Sequence, residues 1–173
     1  AFLRFNSYNL YKQILLQNIK QGCYVTRKIL IVEDTPTIAR VQKHIALKAG
    51  YEVDIAESLA ATKELIKHNS YFCAVVDFIL PDAPAGEAIP YTINADIPTI
   101  VMTGNIDKQT RDTVEKYPII DYIIKENKQA YQYLEKQLSR LPRNENVKVL
   151  VVDGSTSTRR YICSLLKRHK YQI

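Results

Sequence analysis

The sequence predicts an α/β protein in which a five-stranded parallel sheet is covered by helices on both faces. Two observations predict this fold class. Strand-like segments recur five times between residues 28 and 124, and segments with helical spacing of apolar residues separate them. The first strand-like segment, Lys28–Val32, is a continuous apolar run, which is typical of a strand buried on both faces. Strands that alternate with helices in this way form parallel sheets.

The individual elements follow from local patterns. The five predicted strands are Lys28–Val32, Tyr51–Ala56, Phe72–Val76, Ile97–Met102 and Ile119–Ile124. The first helix of the domain should begin at Thr35 and Pro36, which suit the N-cap and the first helical position, and end at Gly50. Its apolar stripe is Ile38, Val41, Ile45 and Ala49. Further helices are predicted near residues 6–21, 58–68, 107–116 and 127–140, with a short one near residues 86–91.

The composition of the 173-residue chain excludes several classes of protein. Hydrophobic residues make up 46% and charged residues 24% of the chain, which is ordinary for a globular domain. No run of 18 apolar residues is present, so no membrane partner is expected. The cysteines Cys23, Cys73 and Cys163 lie far apart, without the spacing of a zinc site. This pattern indicates reduced thiols and a cytoplasmic location.

The net charge of +6 is concentrated at the two ends of the chain. Residues 1–27 contribute +4 and residues 141–173 contribute +5, whereas residues 28–140 contribute −3. Basic ends are typical of linkers, solvated helix faces or partner contacts. Because no recognition helix or zinc finger accompanies them, nucleic acid is not expected as a partner through this chain.

Reactive side chains follow four of the predicted strands. Glu33 and Asp34 follow the first strand, Asp77 the third, Thr103 the fourth and Lys125 the fifth. Ligands of parallel sheets bind beyond the carboxyl ends of the strands, so we expect these side chains to meet. Carboxylates that lie close together repel one another, and Mg²⁺, which prefers oxygen ligands, relieves that repulsion. A carboxylate can also take up a phosphoryl group, which makes Asp77 the candidate nucleophile.

These residues lie in the motifs KILIVED, VVDFILP, IVMTG and DYIIK. Over residues 27–140 the chain resembles the receiver domain of two-component response regulators. The resemblance implies a doubly wound, flavodoxin-like sheet with strand order 2-1-3-4-5. It also implies a metal site for Mg²⁺, with Glu33 and Asp34 as the acidic pair, Asp77 sharing the metal, and the main-chain carbonyl of Ile79 as a further ligand.

The resemblance assigns the remaining roles by position. Asp77 would be the phosphorylated residue and, with Thr103 and Lys125, would form the catalytic group. Thr103 and Tyr122 would be the switch residues that respond to the phosphoryl group, and Lys125 would bind it. The chain departs from the family where Glu126 follows this lysine in place of the usual proline.

The sequence predicts four segments. Residues 1–26 form an N-terminal helix or linker, residues 27–140 the receiver domain, and residues 141–146 a second linker. Residues 147–173 resemble the start of a second, incomplete receiver-like domain, because Lys148–Val152 matches Lys28–Val32 at an offset of 120 residues. The acidic pair of the first copy becomes Asp153 and Gly154 in the second. We therefore expect a β-α remnant at the C-terminus and interpret the chain as a fragment of a tandem-receiver protein.

The resemblance implies a function in two-component signalling. A sensor histidine kinase or a histidine phosphotransfer protein would phosphorylate Asp77 and so control an output domain, such as a diguanylate cyclase, that is not present here. The chain is not expected to be an enzyme, and a homodimer is left open. The alternative is a pseudo-receiver that acts only through protein contacts, without phosphorylation. A phosphatase of the haloacid dehalogenase type would need a second Asp where this chain has Ile79.

Overall fold

The computed structural model of the protein describes residues 27–104 and 107–173. The described strands are β1 (Lys28–Val32), β2 (Glu52–Ala56), β3 (Cys73–Asp77), β4 (Thr99–Thr103) and β5 (Asp121–Ile124). The described helices are α1 (Pro36–Lys48), α2 (Leu59–His68), α3 (Ala88–Asn94), α4 (Lys108–Val114), α5 (Lys128–Asn144) and α6 (Thr156–Arg168). The helix predicted near residues 6–21 lies outside the described residues.

The five strands form one parallel sheet in the order β2-β1-β3-β4-β5. The predicted fold class and strand order are therefore confirmed. In this order β1 lies between β2 and β3, so the connections from β1 to β2 and from β2 to β3 run in opposite directions across the sheet. Folds of this kind bind ligands at the carboxyl ends of the strands where the direction changes, which here is between β1 and β3. None of the described helices has the length and apolar character needed to cross a membrane.

Successive residues of β1 alternate between two apolar cores, one on each face of the sheet. Ile29 and Ile31 belong to the core that includes Leu134 of α5. Leu30 and Val32 belong to the core that packs against α2 and α3. All four of these β1 side chains are fully buried. Burial on both faces explains why the strand is a continuous apolar run in the sequence.

The helix α1 turns to the sheet a face that only partly matches the one that its apolar spacing predicts. Its buried residues are Ala39, Gln42, Ile45 and Ala46. The predicted stripe is therefore confirmed at Ile45 and at Ala49, which packs half-buried against the same core, and it is wrong at Val41, which remains 43% exposed. Alanine side chains let this face lie close to the sheet, which favours it over the bulkier stripe. The polar Gln42 consequently occupies the centre of the buried face.

The helix α5 continues through Pro142 and ends at Asn144, so the first residues of the predicted linker 141–146 are helical. A proline inside a helix leaves the carbonyl four residues earlier without its usual N–H donor. Here that carbonyl belongs to Leu138, and the hydroxyl of Tyr51 donates to it at 2.7 Å. Leu141, which is fully buried, packs in the same turn. The hydroxyl therefore replaces the missing bond and lets the helix extend.

The segment after α5 repeats the geometry of β1 and α1 at the offset of 120 residues found in the sequence. The helix α6 has the bounds of α1 shifted by that offset. A parallel bridge between Lys148 and Gln172 corresponds to the pairing of Lys28 with Glu52. Within this segment the expected helix forms, while the expected strand makes only this isolated bridge, because no further strand lies beside it to complete a ladder.

Candidate functional site

The sheet brings the candidate residues together at the carboxyl ends of its strands. The register of β1 and β3 places Glu33, which follows β1, beside Asp77, the last residue of β3. The backbone N–H of Lys125, just after β5, donates to the carbonyl of Thr103, the last residue of β4, at 2.8 Å. Residues separated by up to 92 positions in the sequence therefore share one pocket.

Three carboxylates converge in this pocket. One oxygen from each of Glu33, Asp34 and Asp77 lies within 4.8 Å of the other two. Glu33 is fully buried and Asp77 is 9% exposed, while Asp34 is half-buried. Charges this close in a poorly hydrated place raise the free energy of the fold unless positive charge compensates them.

The ammonium of Lys125 supplies part of that compensation. Its Nζ lies 2.6 Å from Oε2 of Glu33 and 2.7 Å from Oδ2 of Asp77. The lysine side chain is only 6% exposed, so water screens these two ion pairs weakly. One positive charge facing three carboxylates leaves an excess of negative charge in the pocket.

Burial raises the pKa of Glu33 above its ordinary value, because the fold removes water from the ionised carboxylate. The hydrogen bond and the charge of Lys125 oppose this effect and lower the pKa. The charge of Asp77 raises it, and the backbone N–H of Thr35, 3.3 Å from Oε1, lowers it. The ionised state of Glu33 therefore depends on Lys125.

The other candidate residues surround this cluster. Thr103 is fully buried at the end of β4. The backbone N–H of Ile79 lies 3.4 Å from Oδ1 of Asp77, which brings the main chain of Ile79 to the pocket. Tyr122 is half-buried on β5 and lines a separate cavity of about 410 Å³ beside α4. The structure thus places Tyr122 at a cavity whose lining does not include the three carboxylates.

The comparison of sequences agrees with this geometry. The sequence model of the family described as response regulator receiver domain matches residues 29–138, which is more than half of the chain. The chain belongs to the response regulator receiver domain family. The resemblance inferred from the four motifs is thereby confirmed. Receiver domains generally work as signalling modules of two-component systems and not as enzymes. No curated protein matches the chain.

Solved structures show the same relationship. A two-component system response regulator/GGDEF domain protein is 33% identical, with a TM-score of 0.74 over 85% of this chain and 60% of its own. A second protein of that description is 32% identical, with a TM-score of 0.73 and the same coverage. The CheY-like receiver domain protein from Methanospirillum hungatei JF-1 is 26% identical, with a TM-score of 0.60 over 70% of this chain and 98% of its own. The present chain thus spans about 60% of the two GGDEF domain proteins.

The residues of the receiver site fit a divalent cation. The three carboxylates offer only oxygen ligands, which Mg²⁺ prefers, and the ammonium of Lys125 leaves part of their charge uncompensated. Beneath them, Oε1 of Gln42 is the single buried side-chain polar atom without a hydrogen-bond partner in the described part of the chain. An acidic pocket whose negative charge is only partly compensated is suited to a hydrated cation.

Sequence reasoning missed Gln42 altogether. Its Nε2 donates to Oε2 of Glu33 at 3.2 Å, so it belongs to the site. A glutamine on a helix that carries several polar residues has no distinguishing sequence signal. The sequence feature that could have identified Gln42 is its spacing: it lies one helical turn before the apolar Ile45 and Ala46, where an aliphatic residue would be expected.

We expect the Lys125→Met substitution to destabilise the receiver domain by about 3 kcal/mol at neutral pH, because it leaves two buried carboxylates without their counter-charge. The loss should grow as the pH rises through the carboxyl range above 4.5, the ordinary value for Glu33. At lower pH the Glu33 carboxylate of the variant binds a proton and needs no ammonium. Urea unfolding of both proteins at several pH values, without divalent cations, measures the difference.

Lys48→Met is the matched control. Lys48 pairs with Glu135 at 2.7 Å, but the lysine side chain is 61% exposed, so its loss should change stability little at any pH. A Lys125 variant that behaves like the Lys48 variant would show that the buried ion pairs do not stabilise the pocket.

Proposed function

We propose that this receiver domain accepts a phosphoryl group on Asp77 from a sensor histidine kinase or a histidine phosphotransfer protein, with Mg²⁺ as cofactor. The observation that carries the proposal is the buried contact of Lys125 with both Glu33 and Asp77. An ammonium held against a carboxylate nucleophile is placed to bind the phosphoryl oxygens once that carboxylate has reacted. This contact supports the proposal, because it would join the nucleophile to a group that stabilises its product.

The transfer needs little covalent chemistry from the protein. A carboxylate oxygen of Asp77 attacks the phosphorus, and the bond from phosphorus to the histidine nitrogen of the donor breaks. The electron pair of that bond stays on the imidazole nitrogen, which takes up a proton from solvent. The product is an aspartyl phosphate. Lys125, already 2.7 Å from Oδ2, can follow the new negative charge onto the phosphoryl group.

The metal would be held by Glu33, Asp34, Asp77 and the main-chain carbonyl of Ile79. When bound, Mg²⁺ neutralises negative charge on the transferring phosphoryl group and on the carboxylates around it. The three carboxylates are already gathered to within 4.8 Å, so little reorganisation of their backbone is needed.

The response to phosphorylation would pass through Thr103 and Tyr122. Thr103 ends β4 at the edge of the pocket, where its hydroxyl can bond the new phosphoryl oxygens. Tyr122 lines the cavity of about 410 Å³ beside α4, so its ring has space to change position. A change of the surface formed by α4, β5 and α5 would then reach a partner.

The rest of the signalling chain is inferred from the relatives. Two response regulators that carry GGDEF domains resemble this chain over 85% of its length, which supports a diguanylate cyclase as the controlled output. On this proposal the chain itself is not an enzyme and works in the cytoplasm, where its kinase would phosphorylate it.

Residues 147–173 would be the first strand and helix of a second receiver-like domain. Leu30 and Val32 of β1 are fully buried, whereas the matching Leu150 and Val152 are 87% and 83% exposed. In the first domain α2 and α3 cover that face of β1, and β3 pairs with the edge of β1, so helices and a strand of these types are the elements that would cover the second copy. Lys170 has a φ of 66° where Gly50 has 89°, so even the helix end is repeated.

Hydrogen exchange tests the proposed second domain. Amides of residues 148–152 and of α6 should exchange much faster than those of β1 and α1, although the elements are equivalent, because their apolar faces are uncovered. Mass spectrometry of peptides from the two segments makes the comparison within one sample. Equal protection at every protein concentration would show that residues 147–173 form a complete folded unit.

Labelling with acetyl phosphate tests the phosphoacceptor. We expect the protein to gain one phosphoryl group in the presence of Mg²⁺ and none in EDTA, and the Asp77→Asn variant to gain none. The gain of mass is measured on the intact protein. Asp82→Asn is the control, because Asp82 is exposed and accepts hydrogen bonds from the N–H groups of Leu59 and Ala60 at 2.8 and 2.9 Å.

Labelling of Asp77→Asn at the wild-type level would place the phosphoryl group elsewhere. The absence of labelling in wild-type protein, from acetyl phosphate and from a phosphorylated histidine phosphotransfer protein alike, would favour the pseudo-receiver, which acts by protein contact alone.

A further inference from the structure

Gln42 lies at the centre of the buried face of α1 and is 1% exposed. Its amide nitrogen has two acceptors, Oε2 of Glu33 at 3.2 Å and Sδ of Met102 at 3.6 Å. The first is a charged acceptor and therefore the stronger contact. The side chain of Gln42 thus connects α1 to Glu33 in the acidic pocket.

The orientation of the amide follows from its neighbour. The ionised carboxylate of Glu33 can only accept hydrogen bonds, so the nitrogen and not the oxygen of Gln42 must face it. This orientation leaves Oε1 buried and without a hydrogen-bond partner. An unpaired buried oxygen disfavours the fold, so packing alone does not account for a glutamine at this position.

The second copy of this helix offers an internal comparison. At the offset of 120 residues, Gln42 corresponds to Ile162 of α6, and the fold of the helix is the same. The copy with isoleucine has Asp153 and Gly154 in place of the acidic pair. The helix therefore forms with an apolar residue at this position, and glutamine occurs in the copy whose acidic pair is complete.

Among residues 27–104 and 107–173, three donors form hydrogen bonds to Glu33. Lys125 and Gln42 both bind Oε2, at 2.6 and 3.2 Å, and the N–H of Thr35 binds Oε1 at 3.3 Å. Lys125 is shared with Asp77, so it is the donor that a phosphoryl group on Asp77 would draw away. Gln42 and Thr35 would then hold the carboxylate alone.

We propose that Gln42 is a positioning residue for Glu33, whose amide N–H holds Oε2 of the carboxylate in place for the metal when Lys125 turns to a phosphoryl group on Asp77. The inference rests on the proposed function, because it assigns a role within the proposed Mg²⁺ site. Outer hydrogen-bond donors of this kind commonly change metal affinity by an order of magnitude or more.

The test compares wild type with Gln42→Met, which keeps the length of the side chain and removes the donor. We expect the dissociation constant for Mg²⁺, measured by isothermal titration calorimetry, to rise about tenfold. In a Glu33→Gln background the same substitution should have no further effect, which a merely structural role would not produce. Met102→Leu removes the other acceptor and should leave Mg²⁺ affinity unchanged. If Gln42→Met does not fold, Gln42→Ile, which introduces the residue found in α6, takes its place.

The outcomes are distinguishable. If wild type binds Mg²⁺ and the Gln42 variant binds it with equal affinity, this inference is overturned and the proposed function is left intact. An equal loss of affinity in the Glu33→Gln background would also overturn it, because the effect would not pass through Glu33. Wild type that binds no Mg²⁺ would overturn the metal site and, with it, the role of Gln42.

Discussion

The ammonium of Lys125, held between the carboxylates of Glu33 and Asp77, is the interaction on which the site depends. Burying two acids next to a third would be prohibitive without a counter-charge. A single lysine compensates part of the buried charge, and the remaining negative charge is the reason that a divalent cation is proposed here. The same lysine lies against Asp77, so on the proposed function its charge would be available to the product of phosphorylation. Stability and reactivity of the receiver domain thus arise from one arrangement of charges.

The sheet makes this arrangement without any of its members being close in sequence. Parallel strands in the order β2-β1-β3-β4-β5 end at one edge, and apolar cores on both faces fix their register. Residues 147–173 repeat the sequence pattern of the first strand and helix. In this repeat the helix forms without the complete acidic pair, so the local structure does not depend on both acids. The repeat reproduces the bounds of α1 in α6, while its acidic pair is reduced to Asp153 and Gly154.

Much of this could be predicted from the sequence, because apolar periodicity and residues at strand ends are local signals. The strands and the meeting of Glu33, Asp77 and Lys125 follow from these signals, whereas the strand order followed from the resemblance to receiver domains. The buried face of α1 could be predicted only in part, at Ile45 and Ala49, since the small side chains of Ala39 and Ala46 pack closely in place of Val41. The helical state of Pro142 depends on a hydroxyl from Tyr51, 87 residues from Leu138. Gln42 escaped notice because only its three-dimensional surroundings distinguish it.

The most direct test of the account is the free energy of unfolding of the wild-type protein as a function of Mg²⁺ concentration. If the excess charge of the pocket forms a cation site, stability should rise by about 1.4 kcal/mol for each tenfold increase above the dissociation constant. Potassium chloride at the same ionic strength should not reproduce this rise. A flat dependence on Mg²⁺, or an equal effect of potassium, would contradict the claim that these carboxylates are gathered to bind a divalent ion.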